Sequence, residues 1–408
     1  MTLAAPKTLS ARTSRHNALV LAAAQATVGS AAPAAFAVAA LAGSWLLSED
    51  KSLATLPVTG FNVGVALAAL PAAALMRAIG RRAGFMGGAL ITAVGGFVSA
   101  MALFTHNFWL LALGMVIIGA GGAFVQQYRF AAIDGASPSF RPKAISWVLA
   151  GGVFAAVIGP QVVRLTADRF LPTQFVGAFL GTAVLGLLGV LVLALLRPPE
   201  AERQAHRVDE LPARPLLQVM RQPRFVAALI CGVGSYSMMS FVMTGAPLAI
   251  VGCGYSTDIS TLGIQWHVMA MFAPSFFTGD LIARYGKERM VATGLGLIAA
   301  SAVVALSGLE IWNFWLSLIL LGMGWNFAFI GSTAMVTDCY RPAEKNKAQG
   351  AHDLILFAVV AFSSFMSGRI LAASGWEAMN YVVFPVVGIG LLALVGLSRT
   401  KGRGLLRG

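Results

Sequence analysis

Charge is scarce in this sequence, although soluble folds depend on charge at their surfaces. Only 11% of the 408 residues are Asp, Glu, Lys or Arg, against about a quarter in an ordinary soluble domain. Hydrophobic residues make up 58% of the chain, and its mean hydropathy is +0.78. These values exclude a disordered chain, a coiled coil and a water-soluble enzyme of this length. They indicate a polytopic membrane protein.

Cysteine is also rare, and the patterns of nucleotide and metal sites are missing. Cys231, Cys253 and Cys339 are odd in number and lie in or near apolar segments, so they predict neither a disulfide framework nor a zinc site. The sequence has no Walker-type phosphate loop, no metal-ligand cluster and no nucleophile beside a plausible base. We therefore expect no cofactor, no metal, no ATP-driven step and no enzymatic activity.

Long hydrophobic runs are what the sequence has in abundance. A helix needs about 20 apolar residues to cross the hydrocarbon core, and a spanning segment must be helical because unpaired backbone groups cannot face lipid. The runs predict twelve transmembrane helices at 17–42, 55–76, 83–104, 108–129, 144–166, 173–196, 224–250, 259–283, 290–309, 313–335, 348–373 and 376–397. The predicted fold class is an all-α, polytopic membrane protein. The first run is too long for a signal peptide, and we expect it to remain in the protein.

The basic residues predict the orientation of these helices. With the N-terminus inside, 25 of the 29 Lys and Arg residues lie on the inner side, and the outer side keeps only Lys51, Arg164, Arg169 and Arg369. The positive-inside rule then places both termini in the cytoplasm. We expect the protein to lie in the inner (plasma) membrane. The same distribution explains the net charge of +13 without a nucleic-acid partner. We expect a monomer.

The chain repeats itself at half its length. Asn-Phe-Trp-Leu at 107–110 recurs at 313–316, and a glycine followed by a basic residue at Gly80 recurs at Gly286, both at an offset of 206. Such a repeat predicts duplicated structural units. An even number of spans in each unit makes the two parallel, with a central cavity that opens to one side at a time.

The repeat also predicts the domain organisation. We expect two pseudo-symmetric six-helix halves, 1–196 and 224–408, joined by a cytoplasmic linker, 197–223. The linker is charged and rich in Pro, unlike the apolar segments on either side of it.

Short loops on the inner side carry a family resemblance. Residues 72–82 (AAALMRAIGRR) resemble the G-x-L-a-D-R-x-G-R-R loop between helices 2 and 3 of the major facilitator superfamily. Residues 279–288 (GDLIARYGKE) are the counterpart in the second half, and 340–350 (YRPAEKNKAQG) resemble the loop that leads into helix 11. The resemblance implies a secondary transporter built from parallel six-helix halves. It does not specify a substrate.

The chain departs from the family pattern at several positions. The Asp of the family loop falls on Arg77 in the first half and on Ala283 in the second, and the family's helix-4 Arg falls on Gly114. Gly159-Pro160 belongs to a glycine-rich pattern of drug/proton antiporters whose other small residues are only partly present. The direction of transport therefore stays open.

The resemblance implies that the inner loops act as gates. Their glycines allow a tight turn, so that basic side chains can reach the inner ends of neighbouring helices, which are partial negative poles. An aspartate at the inner end of helix 4, and its equivalent after helix 10, adds a full negative charge. The alternative is that these charges only set topology. The predicted gating residues are Gly80, Arg81, Arg82, Asp134, Gly286, Lys287 and Asp338.

Polar and aromatic residues inside the predicted spans indicate a substrate site. A charge in hydrocarbon costs about 2.5–3.5 kcal/mol on insertion scales, so such residues usually face a cavity. The predicted substrate-binding residues are Gln126, Arg129, Tyr236, Gln265, Trp266, His267, Trp325 and Asn326. Arg129 could bind an anionic group with two hydrogen bonds, or its side chain could extend to the inner membrane surface. The aromatics favour a flat solute, or they pack against lipid and core. An organic anion and a planar heteroaromatic nutrient are the two solute classes that fit.

Three residues are predicted to couple transport to protons. Asp353 is a carboxylate about five residues into the eleventh predicted span, and an acid in a low-dielectric cavity can exchange a proton between alternating states. His267 and His352 belong to the residue type that titrates near neutral pH. His352 points about 100° away from Asp353 around the helix, so the two need not touch. As alternatives, Asp353 pairs with Lys347 or Arg129, and His267 is a packing residue.

Taken together, these features predict a secondary active transporter that moves a small organic solute by alternating access, coupled to protons. Two alternatives remain at this point. The first is an efflux antiporter for drugs or metabolites. The second is a membrane sensor or assembly protein that keeps the fold without transport.

Overall fold

The computed structural model describes residues 11–47, 51–132, 137, 140–197, 214–341 and 344–405. Within these ranges the regular structure is helical throughout. The helices are α1 (Ala11–Thr27 and Ala31–Leu46, joined by the 3-10 turn Val28–Ser30), α2 (Leu56–Ile79), α3 (Arg81–Phe104), α4 (Phe108–Val125), α5 (Arg141–Thr166), α6 (Val176–Leu193), α7 (Pro223–Gly252), α8 (Thr257–Phe272 and Ser275–Tyr285), α9 (Lys287–Leu306), α10 (Ile311–Val336) and the pair α11 and α12, which share Lys345–Leu405 and are divided at Gly375. A short helix, Leu216–Met220, precedes α7.

Ten helices of the described part are long and apolar enough to cross a membrane. Two features account for the difference from the predicted twelve. α11 and α12 run on from one another and count as one stretch of 53 residues, Lys347–Arg399, although Gly375 has a non-helical φ of +76°. α8 is broken into pieces of 16 and 11 residues, each too short to be counted alone. With α8 joined and α11 and α12 separated, the number of spans is twelve.

The break in α8 lies at Pro274, where the missing N–H interrupts the helical hydrogen bonds. The apolar run continues across this position, which is why the sequence predicts one unbroken helix. α4 also differs from its prediction, because it ends at Val125 rather than 129. Gln126 and Gln127 follow in a turn, and a single helical turn, Tyr128–Ala131, comes after them. The regular helix thus ends where the apolar run ends.

The helices form two compact units. The first consists of the described residues of Met1–Ala35 and Gly64–Val208, and the second of those of Phe36–Val63 and Asp209–Gly408. The boundary near 208 falls in the predicted linker. The segment 36–63, which holds the C-terminal part of α1 and the beginning of α2, packs with the second unit. The division into 1–196 and 224–408 stays a prediction.

The core of the first unit includes a fully buried tyrosine. Tyr128 follows the end of α4, and its ring lies edge-on to Phe85 of α3, with 4.9 Å between centroids. Small residues let other helices of this unit approach closely, as is usual between helices in membranes. At Gly159 of α5, for example, a Cβ would lie 2.5 Å from the Ser30 carbonyl oxygen of α1.

Candidate functional site

Four aromatic side chains from α7, α10 and α11 form a continuous cluster in the second unit. The ring of Tyr236 lies edge-on to Trp325, Phe329 and Phe357, at centroid distances of 5.4, 5.1 and 5.8 Å. Trp325 and Phe329 are one turn apart on α10 and stack at 5.2 Å with 15° between their planes. We call these four rings the aromatic cluster.

The cluster is only partly covered. Tyr236, Phe329 and Phe357 are half-buried, while Trp325 is 8% exposed. A buried indole N–H normally finds a hydrogen-bond partner, yet Nε1 of Trp325 has none within the described part of the chain. The sequence predicts Tyr236 and Trp325 as site residues and misses the two phenylalanines. The i, i+4 spacing of Trp325 and Phe329 was the available signal.

A histidine with one unpartnered nitrogen lies beside this cluster. His352 of α11 is 3% exposed, and its Nδ1 lies 3.0 Å from Oδ1 of Asp353. The two side chains therefore touch, although their angular separation around the helix does not require it. Nδ1 is near the backbone end of the ring, where the short side chain of the next residue can reach it. Asp353 itself is 58% exposed.

The other imidazole nitrogen, Nε2 of His352, is buried and has no hydrogen-bond partner among the described residues. A Cβ built on Gly232 of α7 would lie 3.6 Å from this nitrogen and 3.0 Å from Oγ of Ser332 on α10. Gly232 is one turn before Tyr236, and Ser332 is three residues after Phe329. The close approach at Gly232 therefore places His352 next to the aromatic cluster.

The candidates on α8 have other surroundings. His267 is fully buried, and its Nδ1 lies 2.7 Å from the Leu318 carbonyl oxygen of α10. Its neighbour Trp266 is 40% exposed, whereas Gln265 is buried. Consecutive helical residues point in different directions, so the structure does not bring these three together on one face. Their predicted contact with a substrate stays a prediction.

Asn326 stabilises the break in α8. Its Nδ2 donates to the Met271 carbonyl oxygen at 2.7 Å and to Oγ of Ser275 at 2.6 Å. Its Oδ1 accepts a 2.6 Å hydrogen bond from Thr278. Both amide protons are thus used on the two pieces of α8, on either side of Pro274. This arrangement supplies the polar partners that an interrupted helix needs inside a membrane.

The two candidates of the first unit follow the end of α4. Gln126 and Arg129 are both exposed, and the Arg129 guanidinium lies 4.9 Å from the ring centroid of Phe130. This distance is typical of a cation–π contact. Arg129 thus lies beyond the regular part of α4 rather than inside the helix.

The glycines of the two inner loops share one backbone conformation. Gly80 has φ and ψ of 85° and 157°, and Gly286, at the equivalent position of the repeat, has 89° and 154°. Residues other than glycine rarely adopt such positive φ values. The internal repeat is therefore visible in the backbone as well as in the sequence.

Lys287 of the second loop contacts the end of α10 and the aspartate that follows it. Nζ of Lys287 donates to Oδ1 of Asp338 at 2.6 Å and to the Ala334 carbonyl oxygen, near the end of α10, at 2.9 Å. Arg224 joins this network through Oδ2 of Asp338 and Oε1 of Glu288, at 2.8 and 2.7 Å. In the first loop Arg82 is exposed and Arg81 is half-buried. Asp134 lies outside the described residues, and a gating role for both loops stays a prediction.

A buried ion pair at the end of the linker was not predicted. Arg214 donates three 2.8 Å hydrogen bonds to the carboxylate of Glu344, two from its guanidinium and one from its backbone N–H, and Glu344 is 2% exposed. The carboxylate also accepts from the backbone N–H of Arg341 at 2.9 Å. The Arg214 hydrogen bonds hold the pKa of Glu344 well below its usual range. The linker end is thus fixed to the loop between α10 and α11.

Comparison with known proteins identifies the family. The model of the Major Facilitator Superfamily matches residues 17–324 and 266–406. The chain belongs to this superfamily. Its fold is similar to that of a solved bacterial homolog of the human lysosomal transporter Spinster, described as inward-facing and unoccupied, with a TM-score of 0.69 and 14% identity over 95% of this chain and 96% of that one. The prediction of an all-α membrane protein of twelve-helix type is confirmed.

Curated relatives of the chain are transporters. It is 49% identical to the riboflavin transporter RfnT of Brucella anthropi over 392 residues, which are 96% of this chain and 98% of the relative. It is also 30% identical to YddS, an uncharacterized transporter of the same superfamily from Bacillus subtilis, over 82% of this chain and 81% of that protein. The family and these relatives indicate an integral, multi-pass membrane transporter rather than an enzyme.

Proposed function

We propose that this chain is a secondary transporter of riboflavin or a closely related flavin, coupled to protons. The observation that carries the proposal is the 49% identity with a riboflavin transporter over nearly the full length of both proteins. The matched region is long enough to include all twelve spans.

The side chains of the second unit support a flavin more than an organic anion. Riboflavin is planar, heteroaromatic and uncharged at neutral pH, so it needs a flat apolar surface and a few hydrogen bonds rather than a cation. The aromatic cluster offers such a surface, and pockets for small molecules are commonly lined in this way. Arg129, which suggested an anion, already lies over the ring of Phe130.

The pair formed by His352 and Asp353 supports proton coupling. An exposed carboxylate within a span faces water rather than lipid because of its cost in hydrocarbon. The imidazole beside it has two ring nitrogens, one of which can donate a proton while the other accepts one. The solvated carboxylate of Asp353 is therefore linked to the buried imidazole of His352, with 3.0 Å between Oδ1 and Nδ1. This is an arrangement through which a proton can enter and leave.

The distribution of Lys and Arg supports an inner-membrane location with both termini in the cytoplasm. The rival function, efflux by antiport, was suggested by Gly159-Pro160. In the structure Gly159 allows α5 to approach Ser30 of α1 closely. Helix packing therefore accounts for this glycine without an antiport function. We therefore place flavin transport first.

Reconstituted protein tests the proposal. Vesicles containing the purified chain should accumulate radiolabelled riboflavin faster when the outside is more acidic than the inside, and a protonophore should remove the difference. Empty vesicles and vesicles with protein but no pH gradient are the controls. Riboflavin flux no greater than in empty vesicles, under either gradient, would contradict the proposal. Riboflavin binding without any flux would favour the non-transporting alternative.

A further inference from the structure

We propose that the aromatic cluster is the binding surface for the isoalloxazine ring, and that Trp325 and His352 hydrogen-bond to its polar atoms. This inference rests on the proposed function and adds the residues that recognise the flavin. It is carried by the geometry of the second unit, in which four rings pack together and two buried nitrogen atoms have no partner in the described part of the chain, Nε1 of Trp325 within the cluster and Nε2 of His352 beside it.

The rings can bind the ligand only on an outer surface of the cluster. Trp325 and Phe329 are 5.2 Å apart, which leaves no slot for another ring between them. Three of the four rings are partly uncovered, so a planar ligand can stack on them, and the side chains that cover the buried nitrogens of Trp325 and His352 must move aside for these atoms to bind it. Stacking of a base on an aromatic side chain contributes about 1–3 kcal/mol in nucleic-acid complexes, and a flavin offers the larger surface of three fused rings.

The exposed side of the cluster faces water rather than lipid. Phe357 is one turn after Asp353 on α11, so the two residues share a face of that helix. Asp353 is 58% exposed, and a carboxylate exposed to hydrocarbon would be strongly unfavourable. The surface next to Phe357 is therefore accessible to a solute that arrives from water.

The two unpartnered nitrogens have complementary chemistry. Nε1 of Trp325 can only donate. His352 is oriented by Asp353, because a carboxylate next to Nδ1 favours the tautomer with the proton on that nitrogen, which leaves Nε2 as an acceptor. The pyrimidine-dione ring of a flavin carries an N3–H between two carbonyl groups. We assign the N3–H to Nε2 of His352, and the acceptor N5 of the central ring, further along the flavin, to Nε1 of Trp325.

The spacing along α10 suits a ligand of this length. Trp325 and Ser332 are seven residues apart, about 10 Å along the helix axis, and they lie on the same face. Ser332 marks the position of His352, because both approach Gly232 of α7. The cluster and the two nitrogens thus extend along one side of α10, over a distance comparable to the long axis of a three-ring heterocycle.

Equilibrium binding of riboflavin to the purified full-length protein tests this assignment, with quenching of flavin fluorescence as the readout. Trp325→Phe keeps the stacked ring and loses the N–H, so we expect affinity to fall about fivefold. Trp325→Ala loses both, and we expect a fall of about tenfold or more. Trp312→Phe is the matched control, because Trp312 is 72% exposed on the same helix and should leave the affinity unchanged. Each variant must elute as the wild type does in gel filtration.

A modified ligand tests the role of His352 separately. Methylation of the flavin at N3 removes the proton that we assign to Nε2. It should weaken binding to the wild type about fivefold or more, and it should have little further effect on a His352→Leu variant.

The outcomes distinguish the two proposals. A wild-type protein that does not bind riboflavin would contradict the proposed function. If the wild type binds riboflavin but the Trp325 variants bind equally well, or if N3-methylation weakens both proteins equally, the function stands and the site is wrong. Loss of affinity in the Trp325 variants, with the control unchanged, supports the site.

Discussion

Nδ2 of Asn62 donates a 3.1 Å hydrogen bond to Oγ of Ser364, which joins the start of α2 to α11 although 302 residues separate them. Ser240 and Thr244 of α7 lie 3.2 and 3.0 Å from the same hydroxyl oxygen. All four side chains are buried. Ser364 is therefore the centre of a polar cluster that holds segment 36–63 within the second unit.

This cluster predicts an order of stabilities. Hydrogen bonds between membrane helices contribute about 0.6 kcal/mol on average and about 1.7 at most. Asn62→Ala removes one contact and should lower the free energy of unfolding by about 1 kcal/mol. Ser364→Ala removes the shared partner of three groups and should lower it further. Thermal unfolding of detergent-solubilised protein measures both, with Ser398→Ala as a control, because that exposed hydroxyl bonds only within its own helix. An equal melting temperature for all three variants would contradict the prediction.

The ion pair between Arg214 and Glu344 predicts a dependence of stability on pH. The pKa of Glu344 is lowered in the folded protein, so its contribution is fully present above the unfolded-state pKa of about 4.3 and is lost as pH falls toward the folded-state pKa. Glu344→Gln should therefore lower the melting temperature most at pH 7, and its difference from the wild type should shrink below about pH 4. A difference that is constant between pH 7 and pH 3.5 would show that the charge of Glu344 is not responsible.

The contact between Lys287 and Asp338 predicts a gating defect. Lys287→Ala removes a 2.6 Å ion pair and the bond to the end of α10, so the initial rate of uptake should fall several-fold while membrane insertion stays normal. Lys287→Arg, which keeps a positive charge beside Asp338 and leaves the Arg224 pair intact, should retain most of the rate if attraction is what matters. Uptake by Lys287→Ala at the wild-type rate would show that the pair serves topology alone.

The hydrogen bonds of Asn326 predict a separation of stability from binding. Because its amide holds the two pieces of α8 together, Asn326→Ala should lower the free energy of unfolding by about 1–3 kcal/mol, the sum expected for three such bonds in a membrane. Riboflavin affinity of the folded protein should change less than about twofold. A large loss of affinity with an unchanged melting temperature would instead support the substrate contact that the sequence suggests.

Much of the fold follows from the sequence because the bilayer limits the choices. Twelve apolar runs must be helices, and the end of the eleventh run coincides with the break at Gly375. The repeat predicted equivalent loops, and Gly80 and Gly286 share their conformation. The break in α8 was missed because a proline within an apolar run can also kink a continuous helix.

The candidate site was harder to predict, for a different reason. An apolar residue in a span faces lipid, core or cavity with the same sequence signature, so Phe329 and Phe357 were missed while Trp325 was found. The contact of His352 with Asp353 depends on side-chain rotamers, which periodicity does not give. The pair of Arg214 and Glu344 joins residues 130 positions apart, and only the folded chain shows it.

The matching dihedral angles of Gly80 and Gly286 have an evolutionary consequence. If both halves descend from one duplicated ancestor, the residue after the glycine now differs between them, Arg81 against Lys287, while the bend before it is the same. The path of the main chain is then the feature that the two turns share, and the identity of the basic side chain is what distinguishes them. Grafting residues 73–82 in place of 279–288 should for that reason preserve the turn more readily than the bonding network around it.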